Sequence, residues 1–77
     1  MGVRELLETL ASAVVENPDA VKVKEAEEEG AIVLELSVAA DDYGRVIGRD
    51  GRTAQALRTV VKAAAPEGRR VFVDIID

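Results

Sequence analysis

The apolar positions of this chain change period several times, and each change marks an element. Val3, Leu6, Leu7, Leu10 and Val14 recur at helical spacing, with Arg4, Glu5, Glu8, Ser12 and Glu16 on the other side. This spacing predicts an amphipathic helix over residues 3–16. Asn17-Pro18-Asp19 ends it, because the residue before a proline is pushed out of the α region. The period then falls to two. Val21 and Val23 alternate with Lys22 and Lys24, which predicts a strand over about 20–27. Glu28-Glu29-Gly30 supplies a turn. Beyond it Ile32, Leu34, Leu36 and Val38 alternate with Val33, Glu35 and Ser37, a second strand with one apolar face. The two strands are expected to pair as an antiparallel hairpin.

Ala40-Asp41-Asp42 follows, and an aspartate there is suited to cap a short helix across Tyr43 to Ile47. The Gly48-to-Gly51 turn breaks that helix. A longer one is expected from about Arg52 to Ala65. Ala54, Leu57, Val61 and Ala64 form its apolar stripe, and Arg52, Gln55, Arg58, Thr59 and Lys62 its polar side. Pro66-Glu67-Gly68 stops it, and Arg69 to Ile76 reads as a last strand with Val71, Val73 and Ile75 facing one way. The order is α-β-β-α-α-β. It predicts a two-layer α+β domain whose three-stranded mixed sheet packs on helices. The two-helix crossover is expected to be right-handed and to make the second and third strands parallel.

Length adds that 77 residues suffice for one domain, expected to occupy 1–77, and not for two. The 48% of hydrophobic residues is too high for a disordered chain. Cysteine and histidine are absent, which removes disulfides, thiolate chemistry and the common zinc-ligand sets. No cofactor is expected. An unstapled chain of this size fits a reducing interior such as the cytoplasm. No apolar run reaches the length of a membrane span, and the charges within Met1 to Glu8 fit a mature start rather than a signal peptide.

The net charge of −5 argues at first against a polyanionic partner, but its distribution alters that reading. Residues 1–43 carry −8 and residues 71–77 carry −2, whereas residues 44–70 carry +5. A basic segment on an acidic domain is the footprint of a local anion site, although a mixed-charge soluble surface gives the same count.

The basic segment holds Gly48 and Gly51, three residues apart between two helical patterns. Glycine tolerates positive φ and lets another backbone approach closely. The helix that follows opens with free N–H groups and the positive end of its dipole, a place for phosphate. Arg49 lies in the turn, with Arg45 and Arg52 flanking it. Two glycines alone would also fit a plain helix-turn-helix corner. The arginines and the apolar Val46-Ile47 lead-in favour the anion site.

Val46-Ile47-Gly48-Arg49-Asp50-Gly51 resembles the Val-Ile-Gly-x-x-Gly signature of KH domains, and the element order is similar to their type II topology. With the run to Val60-Val61-Lys62-Ala63-Ala64-Ala65 and the closing Arg70-Val71-Phe72-Val73, the resemblance covers essentially the whole chain and narrows to the stand-alone bacterial KhpA (YlqC-type) family. It implies cytoplasmic single-stranded-RNA binding and an RNA-chaperone role. It also implies pairing as a homodimer or with a larger KhpB (Jag/EloR)-like protein, and a part in cell-envelope growth and cell-shape control.

In KH domains the GxxG loop clamps about four unpaired nucleotides. The resemblance implies that Gly48, Arg49, Asp50 and Gly51 form the clamp. Ile47 and Ala54 would line or support an apolar groove, with Arg45 and Arg52 near the phosphates and strand residues 34–38 as its opposite wall. Two positions depart from the pattern. Asp50 is an acid where phosphate would sit, and is read here as a cap for the following helix. Ala54 stands where a bulky aliphatic residue is usual, which makes the groove shallower. Tyr43 and Phe72 are the only aromatics, so extensive base stacking is not expected.

Other signals are weaker. The glycine loop is not a P-loop, since Gly51-Arg52-Thr53 lacks the lysine, nor a dinucleotide fingerprint, since Val46 stands where glycine is needed. Glu27-Glu28-Glu29 reads as a solvated turn rather than a cation site. Ser12 and Ser37 have no histidine to activate them, and no enzymatic activity is expected. Arg69-Arg70 either extends the basic surface or is a solvated strand edge. Ala56 and Ala63 suit a close helix–helix contact between two copies, or simply good helix propensity. Beside RNA binding stand two further readings, a KH-fold protein-interaction module with little RNA affinity and a single-stranded DNA binder.

Overall fold

The computed structural model describes residues 1–77. Helix α1 (Val3–Val14) is followed by a 3₁₀ turn (Pro18–Ala20) and strands β1 (Lys22–Glu28) and β2 (Ala31–Ser37). A second 3₁₀ turn (Ala40–Asp42) leads into helix α2 (Tyr43–Ile47). A third (Arg49–Gly51) leads into α3 (Arg52–Ala63), and strand β3 (Val71–Ile76) closes the chain. The predicted order α-β-β-α-α-β is present, and it is that of the type II KH fold.

The sheet runs β1-β2-β3, with β1 antiparallel and β3 parallel to the central β2. Val23 faces Leu36, and Leu36 faces Ile75 across the other ladder. Alternation then puts Val23, Ile32, Leu34, Leu36, Val71 and Val73 on one face, where they meet Val3, Leu7 and Ala11 of α1, Val46 of α2, and Leu57 and Val61 of α3. Leu7, Leu34, Leu36, Val46 and Val61 have no exposed surface. Truncating one of the leucines to alanine costs about 2–5 kcal/mol. A domain of this size holds only about 5–15 kcal/mol in all.

The core-facing side of β1 is apolar at Val23 only. Glu25 and Glu27, next along the same face, are exposed. Arginines reach them instead of apolar side chains. Arg4 approaches Glu25 at 4.0 Å, and Arg69 pairs with Glu27 at 3.1 Å while donating to the Gly30 carbonyl at 2.9 Å. The outer half of the hairpin thus projects past the helical layer. Its two-residue tip, Glu29-Gly30, has positive φ at both positions (52° and 85°), as a type I′ turn demands.

Four expectations need correction. Val14 lies on the α1 stripe but is 39% exposed at the helix end, and Ala11 takes the buried place. Helix α3 stops at Ala63, so Ala64 is exposed rather than part of its apolar stripe. Neither capping aspartate caps. Asp42 occupies the N-cap position of α2 without a capping bond, because its carboxylate is used elsewhere. Asp50 precedes the α3 N-cap, which is Gly51, and also makes no capping bond. Its backbone sits at φ 58°, ψ 25°, the left-handed region that aspartate tolerates better than most side chains.

Candidate nucleic-acid interface

The Gly48–Gly51 segment is a tight corner between α2 and α3. Gly48 ends α2 at φ 76°, ψ 173°, a conformation essentially reserved for glycine. Its N–H donates to the Gly44 carbonyl at 2.8 Å, and its carbonyl accepts from the Gly51 N–H at 3.1 Å. A Cβ at Gly48 would clash with the Thr53 hydroxyl and lie 2.8 Å from the Thr53 nitrogen. Gly48 therefore serves two ends, the turn itself and close contact with the first turn of α3. Gly51 is left-handed (φ 75°, ψ 13°) but faces open space, so only conformation constrains it.

The expected site residues separate into groups. Arg49, Asp50 and Arg52 are exposed around the corner, and Gly48 and Gly51 are half-buried. Arg49 and Arg52 have no carboxylate within ion-pair distance. Ile47 is half-buried beside the loop, while Ala54 is 3% exposed and supports the corner from below. Leu34 and Leu36 are sealed in the core, so of the expected strand wall Val38, half-buried, offers surface.

Arg45 has a different setting. Its guanidinium lies 3.2 Å from Glu16 and 3.4 Å from Asp42. It is held towards the α1 end rather than left open like Arg49 and Arg52. Asp42 itself is the one charged side chain with no exposed surface. It accepts hydrogen bonds from the Glu16 N–H at 3.0 Å, the Asn17 N–H at 2.9 Å and the Asn17 side-chain amide at 2.9 Å. The Glu16 N–H bond is the main cause that holds its carboxyl below the ordinary value of 3.8. Burial opposes it, and Asn17 and Arg45 add to it. Sequence reasoning missed this residue's role, because its partners lie 25 and 26 residues upstream. The available signal was a second aspartate beside Asp41 at the start of a five-residue helix, one more than a cap requires.

The surface thus formed offers a glycine corner with two free guanidinium groups on the end of a 12-residue helix. That arrangement can hold an anionic backbone by charge and by close approach. It carries no nucleophile with an activating base, and no group of three or more acidic, histidine or cysteine side chains converges to hold a metal.

Comparison with known proteins agrees with this geometry. Residues 4–75 match the family described as KhpA/KhpB, KH domain. The chain is 56% identical to the RNA-binding protein KhpA of Caldanaerobacter subterraneus subsp. tengcongensis over 73 residues, covering 94% of this chain and 97% of that one. It is 54% identical to the RNA-binding protein KhpA of Clostridium acetobutylicum over 74 residues, 95% and 99% of the two chains. Against the RNA-binding protein KhpA of Streptomyces coelicolor the identity is 52% over 73 residues, 95% and 90% of the two. A glycine corner of this form, on this topology, in a chain so close to those relatives, belongs to the KhpA/KhpB family of KH domains and is of the KhpA type.

Proposed function

We propose that the chain acts as a single KH domain that binds single-stranded RNA, with no catalytic step. Gly48, Arg49, Asp50 and Gly51 form the clamp, Arg52 meets a phosphate, and Ile47 with the buried Ala54 supports the bases. Arg45 contributes to the local field and to holding α2 in place. The observation that carries this reading is the Gly48 corner, where the backbone is free of side chain and two unpaired arginines stand beside it. The names of the relatives support RNA as the polyanion. KH loops hold about four nucleotides. One such clamp, with few aromatics, binds weakly, and linking two clamps raises the effective affinity. A homodimer, or pairing with a KhpB-like protein, supplies that link. The exposed Ala56, Val60 and Ala63 line on α3 suits a close helix–helix contact. Action as a cytoplasmic RNA chaperone in cell-envelope and cell-shape control rests on the family resemblance.

The test is an anisotropy titration of labelled single-stranded RNA with the wild type and Arg49→Asp, after circular dichroism shows both folded. Binding by the wild type alone supports the clamp. Equal binding by both, or by neither, sinks it. The second reading, a protein-interaction module on the same fold, is favoured by the exposed Val60, Phe72 and Ile76, and it predicts assembly without salt-sensitive RNA binding.

A further inference from the structure

The far end of α3 carries a second cluster of cations around an aromatic ring. Phe72 is 39% exposed on β3. Arg70, two residues earlier and just ahead of β3, puts its guanidinium carbon 5.1 Å from the ring centre. Lys62, from the last turn of α3, brings its ammonium to 6.0 Å. Neither cation lies within ion-pair distance of a carboxylate, although Arg4, Arg45 and Arg69 all do. A cleft of about 260 Å³ opens beside the ring, lined by Lys62, Ala65, Arg69, Arg70, Val71 and Phe72.

This cluster is joined to the glycine corner. Arg52, Gln55, Thr59 and Lys62 are all exposed and spaced by three, four and three residues, which places them along one side of α3. From Arg52 to Lys62 the helix rises about 15 Å. The track begins and ends on an unpaired cation and holds no acid. The acids nearest Phe72 lie off this track: Asp74 follows two residues on along the same exposed face of β3, and Glu28 and Glu29 line a depression with Ala31, Val33, Arg70 and Phe72.

We propose that Phe72, Arg70 and Lys62 form a second RNA subsite. One unpaired base stacks on the exposed part of the Phe72 ring while Lys62 and Arg70 meet the adjoining phosphates. The strand reaches this subsite along α3 from the clamp. Base–aromatic stacking tolerates any base, and unpaired cations beside a ring are the usual companions of such a platform. RNA is favoured over an acidic peptide because the cluster is continuous with the loop, and a peptide would need no such track. The inference rests on the RNA-binding reading above.

The experiment compares two single-stranded oligonucleotides of mixed sequence. One of about four nucleotides fills the clamp alone, and one of about eight also reaches Phe72. The wild type is expected to bind the longer one more tightly. Phe72→Ala and Lys62→Glu should each weaken binding of the longer one by about tenfold and leave the shorter one unchanged. Both positions are exposed, and Phe72→Trp offers a control that keeps the strand packing. The chain has no tryptophan, so the fluorescence of Phe72→Trp should be quenched by the longer oligonucleotide and not by the shorter. Equal binding of the two lengths, or an advantage that survives both substitutions, overturns the subsite and leaves the clamp standing. Quenching of Phe72→Trp by polyglutamate and not by RNA overturns it in favour of an acidic peptide. If the wild type binds neither oligonucleotide, the clamp reading itself has failed and the subsite falls with it.

Discussion

The backbone N–H and the side-chain amide of Asn17 both donate to one oxygen of Asp42, each at 2.9 Å. The other oxygen takes the Glu16 N–H at 3.0 Å. A single buried carboxylate therefore ties the segment after α1 to the start of α2. Helix α2 has five residues and ends at Gly48, so what fixes α2 fixes the lead into the glycine corner. A helix this short has little stability of its own and depends on such tertiary anchors.

Acid sensitivity follows from that tie. The Asp42 carboxyl titrates below its ordinary value of 3.8 in the folded chain. Its contribution to stability is then fully present above pH 3.8 and is lost as the pH falls through the lower folded value. Asp42→Asn keeps the shape but not the charge. It should melt at lower temperature than the wild type near neutral pH, with the gap closing as the solution is acidified below pH 3.8. Melting curves across pH for the two proteins check this. A gap that stays constant with pH would mean that the charge of Asp42 contributes nothing.

What could be read from the sequence, and what could not, divides by distance along the chain. Helix and strand periods, the hairpin and the Gly48–Gly51 corner depend on near neighbours, and all are present, with element ends that differ by up to two residues from the pattern. An aspartate of the Asp41-Asp42 pair reads as a local cap because its nearest backbone donors along the chain belong to α2. The fold brings Glu16 and Asn17 closer, and a carboxylate pairs with the donors that burial leaves unsatisfied. Arg45 follows Asp42 for the same reason. Sequence position groups it with Arg49 and Arg52, yet one turn of helix separates it from the corner and points it at Glu16. Asp50 reads as a cap from sequence because it is an aspartate near a helix start. The positive φ that explains it there is a property of the turn, invisible in residue type alone.

The two loop glycines should differ in their tolerance of alanine. At Gly48 an added methyl meets both a glycine-only conformation and the Thr53 backbone, and Gly48→Ala should cost about 2–4 kcal/mol. At Gly51 the methyl enters open space, and Gly51→Ala should cost about 1–2 kcal/mol from left-handed strain alone. Urea denaturation of the two variants gives the comparison. Equal losses would show that contact with Thr53 adds no constraint.

The hairpin tip offers a stabilising change. Glu29 holds φ 52° in a type I′ turn, where asparagine before glycine is strongly preferred. Glu29→Asn should raise stability by about 0.5–1 kcal/mol, since left-handed backbone strains asparagine less than glutamate. Thermal melts read the effect directly, and a loss of stability would point to an unrecognised role for the Glu29 carboxylate.

If two copies pair through α3, Val60 lies in the contact. It is 45% exposed between Ala56 and Ala63, and a charge there would be buried without a partner on pairing. Val60→Asp should shift sedimentation towards the monomer with the circular dichroism spectrum unchanged. A wild type that sediments as a monomer at every concentration removes the homodimer.

Salt dependence separates the arginines that the sequence grouped together. Each phosphate neutralised on a single strand contributes about 0.7 to the slope of log affinity against log salt. Arg49 and Arg52 are exposed and unpaired, so Arg49→Ala and Arg52→Ala should each lower that slope by about 0.7. Arg45 already faces Glu16 and Asp42, so Arg45→Ala should leave the slope nearly unchanged. The check is a set of anisotropy titrations over a range of salt concentrations for the three variants and the wild type. A slope that drops for Arg45→Ala as much as for Arg49→Ala would mean that RNA draws Arg45 away from its carboxylates. The strand would then pass over α2 as well as over the corner. If none of the three changes the slope, the RNA is held elsewhere on the chain, and the glycine corner is only a bend between two helices.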